Sequence, residues 1–140
     1  MNVINAVSYE RSRYSNDKAL LSLAQARDWV IEAGSDCDVG AIRSALMAAY
    51  MGYFHAARAI LFRDGVREKR HYCIGVYPGY YCEKKMLEDE WVLLFDHMRT
   101  LRQSDQYSLE ARPTIEEVRQ AICGAEKFIE RMEQLVKETR

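Results

Sequence analysis

The chain has 140 residues, of which 49% are hydrophobic and 29% charged, and its formal net charge is −1. That length suits one domain spanning residues 1–140 with a single core, and the balance is that of a folded chain rather than a disordered one. A near-zero charge gives no global attraction to nucleic acid, so any such binding needs a local patch.

The opening stretch, MNVINAVSYERSR, lacks the charged start and apolar block of a signal peptide, and no apolar run reads as a membrane span of roughly 20 residues. A cytoplasmic protein that does not engage a membrane is expected. A first helix is predicted from about Asn16 to Ala33, with an earlier start near Tyr9 allowed. Leu20, Leu23, Ala24, Val30 and Ile31 form its apolar side and Gly34 its terminator. Ser35 and Asp36 then offer caps for a second helix, about Asp38 to Arg63.

That second helix is dense in small residues (Ala45, Ala48, Ala49, Gly52, Ala56, Ala57, Ala59), with Tyr50, Tyr53, Phe54, Ile60 and Leu61 between them. From Ala45 to Leu61 its only formally charged residue is Arg58, so it is expected to be the central, most buried helix. After Asp64-Gly65 comes a basic stretch with Arg67, Lys69, Arg70 and His71, read as a solvated turn or a contact for RNA phosphate. Pro78-Gly79 interrupts the connection that follows. Tyr72, Tyr77, Tyr80 and Tyr81 crowd this crossover, as a partner surface or as cover for the core.

A third helix is predicted from about Glu88 to Tyr107, with the stripe Trp91, Leu94, Phe95, Met98 and Leu101. The last helix has the clearest pattern: Ile115, Val118, Ile122, Ala125, Ile129, Met132 and Val136 recur at spacings of three and four. Thr114 with Glu117 is a capping-box signature at its start. No strand is apparent. The fold expected is all-α, an antiparallel bundle of four to five helices with one long connection.

Cys37, Cys73, Cys82 and Cys123 form no C-x-x-C pair, and a His71/Cys73/Cys82 cluster matches no common zinc spacing. Reduced thiols are the simpler reading, and neither a metal nor a cofactor is expected. Among the polar residues, Arg102 and Asp105 stand three apart on a helix, either as a structural ion pair or as a phosphate-binding arginine positioned by an aspartate. Arg99, one turn earlier, either extends a basic strip or is solvated. His55 and Arg58 interrupt the buried helix. They pair with acids of neighbouring helices, lie at a dimer interface, or face Arg102 across a cleft.

The segment AYMGYFHAARAILFRDGVREKRHYCIGVYPGYY (Ala49 to Tyr81) and the later MRTLRQSDQYSLEARPTIEEVRQAICGAEKFIERM resemble the HEPN family, and the likeness extends over about Asp17 to Leu135. The resemblance implies an up-and-down bundle that pairs into a homodimer. It also implies prokaryotic origin and a two-gene toxin–antitoxin module with a minimal nucleotidyltransferase, in which the HEPN protein is a toxin-type ribonuclease or binds RNA or a nucleotide. Nuclease members carry R-x(4–6)-H, whose arginine stabilises phosphate charge and whose histidine moves protons. Here the counterpart is Arg102 to Tyr107, R-x4-Y, and His97 lies on the wrong side of Arg102. A free tyrosine has a pKa near about 10, so at neutral pH it is a poor general base. Binding without efficient catalysis is therefore the leading expectation, with Arg99, Arg102, Asp105 and Arg58 as phosphate-site candidates. The rivals are a metal-independent ribonuclease using Arg102 with Tyr107 or His55, and an adaptor without a nucleic-acid role.

Overall fold

The computed structural model describes residues 13–65, 78–107 and 112–138. Four long helices carry the fold: α1 (Arg13–Asp38), α2 (Ile42–Asp64), α3 (Asp89–Tyr107) and α4 (Ile115–Glu138). Residues 78–83 add a short helical segment before α3, and no strand occurs among the described residues. The basic residues 67–71, with Tyr72, Cys73 and Tyr77, lie outside the described residues.

α2 is the hub, packing on α1 most extensively, then on α4 and α3. All seven of its predicted small residues are buried, as are Tyr50, Tyr53, Phe54, Ile60 and Leu61. Small side chains bring the backbones together, and the aromatic rings fill the remaining volume. Phe95 of α3 and Phe128 of α4 complete a ring cluster, with centroids 6.2 Å from Tyr50 to Phe95, 5.9 Å from Phe95 to Phe128 and 5.2 Å from Tyr53 to Phe128. By length and hydropathy α2 does compare with a membrane span, contrary to the sequence reading. However, 78% of its apolar window is buried inside the protein.

α1 departs from expectation in both its face and its end. The buried residues are Ala19, Ser22, Leu23, Ala26, Val30 and Ala33, whereas Leu20 is 52% and Ile31 69% exposed. The helix runs through Gly34 and the intended caps Ser35 and Asp36, and stops before Gly40, whose φ of +82° suits a residue without a Cβ. α2 accordingly starts at Ile42, preceded by Ala41 with no side-chain cap.

The last helix follows its pattern. Thr114 and Glu117 form the reciprocal box: the Thr114 N–H donates to Glu117 Oε1 at 2.9 Å, and the Glu117 N–H donates to Thr114 Oγ1 at 3.1 Å. Val118, Ala125, Ile129, Met132 and Val136 are buried, and Ile115 at the helix start is exposed.

Arg131, on α4, pins the turn before α3. It donates to Glu88 Oε1 at 2.8 Å and to the Met86 carbonyl at 3.0 Å, while the Trp91 indole also donates to Glu88 at 2.8 Å. The Arg131 bond, then the Trp91 bond, holds the Glu88 carboxyl down at about 2, against an ordinary 4.5. A depressed carboxyl stabilises the fold above its ordinary pKa, and that contribution is lost as pH falls towards 2. Glu88→Gln should therefore be less stable than the parent at pH 7 and equally stable at pH 2, as read by urea unfolding at both values. Glu88 is 56% exposed, so screening keeps the pH 7 difference below about 1 kcal/mol.

Candidate functional site

The second half of α3 carries the predicted strip, and the structure gives each residue a definite neighbour. The Arg102 guanidinium lies over the Tyr50 ring, 4.5 Å from its centroid. Tyr50 is fully buried within the aromatic cluster, so Arg102 covers the core edge. A guanidinium is drawn to a ring face by its charge and directs its N–H groups within its own plane, a combination an ammonium group cannot reproduce. Burial pushes the Tyr50 hydroxyl up from its ordinary pKa, with Arg102 and then Arg99 pulling the other way, so this phenol stays protonated at neutral pH.

Arg99 is held by Asp96, one turn earlier, at 2.7 Å. Asp105 is buried, and its partner comes from another helix: Arg43 Nε donates to its Oδ1 at 2.9 Å, and Arg43 also donates to its backbone carbonyl at 3.2 Å. The aspartate three residues after Arg102 therefore ties the end of α3 to the start of α2. Tyr107 is the last residue of α3, and its side chain lies outside the described residues.

The structure does not gather the remaining candidates here. The Arg58 guanidinium lies over Phe62, 4.6 Å from the ring centre. Phe62 is twelve residues beyond Tyr50, or about 18 Å along α2. His55 meets Phe54 edge-on at 5.2 Å, and its backbone carbonyl accepts a hydrogen bond from Ser22 of α1 at 2.7 Å. At five residues from Tyr50 it points roughly 140° away round the helix. His97 is exposed and lines a small pocket of about 130 Å³ with Tyr53, Leu101 and Glu117.

Sequence reasoning missed one polar site entirely. At the end of α2, Arg63 and Asp64 are both buried and joined at 2.7 Å. Arg63 also donates to the Leu135 and Val136 carbonyls at 3.2 and 3.0 Å and to the Tyr81 hydroxyl at 2.6 Å. That hydroxyl in turn donates to Asp64. The network fills the unpaired carbonyls at the end of α4 and joins residues 64 and 81, on either side of the crossover. Asp64-Gly65 reads locally as a plain helix end, so nothing in its spacing signals a partner 72 residues away.

Comparison with known proteins agrees with this architecture. A Methanocaldococcus jannaschii protein that carries the name "putative toxin" is 29% identical over 97 residues, covering 69% of this chain and 72% of that protein. The family model of the HEPN domain matches residues 19–135, from the first buried alanine of α1 to the carbonyl that Arg63 caps. The chain is therefore a member of the HEPN domain family.

Proposed function

We propose that this protein is the toxin-type component of a two-protein module, acting as a homodimer that binds RNA or a nucleotide through the Arg102 strip, with a minimal nucleotidyltransferase as its partner. Membership of the HEPN family supports this reading, as does the printed name of the archaeal relative. The observation that carries it is the placement of Arg102. Its guanidinium rests over a buried tyrosine ring at the edge of the core, with Arg99 one turn before it, so the ring contact restrains it before any ligand arrives. Phosphate recognition, rather than rapid cleavage, follows from tyrosine at position 107 where nuclease members have histidine.

The test is fluorescence anisotropy with labelled single-stranded RNA. Arg102→Ala should weaken binding by about 1.5–3 kcal/mol, roughly 10- to 150-fold. Arg102→Lys should recover only part of this, because a point charge cannot stack and fork as a guanidinium does. Circular dichroism should report an unchanged helix content in both variants. Unchanged RNA affinity in Arg102→Ala would remove the proposal's basis. Rapid cleavage by the purified parent, lost in Tyr107→Phe, would favour the enzyme reading over the binding one.

A further inference from the structure

Beside this strip, on the other side of the Arg43–Asp105 pair, an open groove of about 760 Å³ runs between α1 and α2. Its α2 wall includes the row Arg43, Met47, Met51, at i, i+4 and i+8. Its α1 wall presents Trp29, Glu32 and Asp36, at i, i+3 and i+7. Each row covers about two helical turns, so the groove is roughly 12 Å long. Two methionines and an indole make the kind of adaptable apolar floor that accepts a foreign side chain. The Trp29 indole N–H is buried and meets no acceptor among the described residues.

The charge of the groove is one-sided. Arg43, its cation, is already engaged by Asp105. Neither Glu32 nor Asp36 has an ion-pair partner among the described residues. From Asp28 to Asp38, α1 holds four carboxylates and no lysine or arginine. Asp36 and Asp38 sit in the last turn of the helix, where the backbone dipole is already negative and where cations are stabilising. A second copy docked here about a two-fold axis would set Glu32 and Asp36 near their own images, which is repulsive. A segment carrying lysines or arginines beside apolar anchors would cancel the field and fill the floor.

We infer that the α1–α2 groove docks a basic amphipathic segment of a partner protein, with Met47, Met51 and Trp29 taking its apolar side chains and Glu32 and Asp36 its cations. The groove ends on Asp105, so an occupant would touch the residue that ties α3 to α2. The inference stands apart from phosphate binding at Arg102, and the Arg102→Ala protein serves as the control that separates the two.

The probe is a fluorescein-labelled leucine/lysine amphipathic peptide of about four helical turns, compared by anisotropy with a leucine/glutamate peptide of the same apolar pattern. The lysine peptide should bind and the glutamate peptide should not. The Glu32→Gln/Asp36→Asn double variant should weaken binding by about tenfold, and Arg102→Ala should leave it unchanged. Equal binding of the two peptides, no binding of either, or an unaltered affinity in the double variant would overturn the inference. So would a change of the protein's mass in solution, by light scattering, on Met51→Glu substitution, because the groove would then be an interface between copies of this chain.

Discussion

Replacing Arg63 with methionine should cost about 3–5 kcal/mol of folding stability, the scale observed when one partner of a buried ion pair is removed. Arg63 is 3% and Asp64 1% exposed, so water cannot take over the lost contacts. Methionine matches much of the volume but has no donor. The Asp64 carboxylate would keep only the Tyr81 hydroxyl among the contacts described above, and the Leu135 and Val136 carbonyls would lose the cation that caps them. Against a total stability of about 5–15 kcal/mol, that loss should lower Tm by on the order of 10–20 °C. Calorimetry of the single variant checks the magnitude. An Arg63→Met/Asp64→Leu double variant checks the cause. With both charges gone, much of the loss should be recovered, because an apolar replacement of a buried pair is often neutral. A single-variant loss below about 1 kcal/mol would mean that the network contributes little to stability.

The contrast between α1 and α4 explains how far the sequence could be read. In α4, beyond the exposed Ile115 and the half-buried Ile122, the apolar stripe is the buried face. In α1 it is not. Leu20 and Ile31 are large and read as apolar-face residues, yet the buried seam of the helix is Ala19, Leu23, Ala26, Val30 and Ala33. Their spacings alternate four and three, which is itself a helical seam signal. It is muted because alanine weighs little on a hydropathy scale. The alanines are there because α2 presents its own small residues, and two small faces allow a close crossing. The helix boundary failed for a related reason: Gly34 lies where α1 has no tight neighbour, and helix continues through it.

The candidate strip was legible in position and not in partnership. Arg102 directly follows Leu101 of the α3 stripe, about 100° round the helix, and it lies at the core edge, over Tyr50. Asp105 was paired with Arg102 because three residues make neighbours on a helix. The structure pairs it instead with Arg43, 62 residues away. Long-range contacts such as the Arg43–Asp105 ion pair and the hydrogen bonds from Arg63 to the end of α4 depend on how helices are juxtaposed, which local periodicity does not encode.

Gly52 marks a close approach of α1 and α2, and replacing it with alanine should destabilise the protein by about 1–3 kcal/mol, the usual cost of overpacking. In an open helix the same change would gain up to about 1 kcal/mol, so the sign is informative. A Cβ at position 52 would stand 2.7 Å from Val30 Cγ2, with the Ala26 carbonyl at 3.5 Å and the Ala125 Cβ at 3.9 Å. Valine in a helix is held to one side-chain rotamer, so Val30 cannot swing aside, and α1 and α2 must separate. Val30→Ala should relieve this. Alone it leaves a cavity and costs about 1–3 kcal/mol, but in the Gly52→Ala background the new methyl group occupies the space vacated. The two changes should therefore couple favourably by about 0.5–3 kcal/mol in a double-mutant cycle measured by urea unfolding. Additive losses would place the strain elsewhere, at Ala125 of α4 instead of the α1–α2 crossing. Net stabilisation by Gly52→Ala alone would show that the two helices are free to move apart.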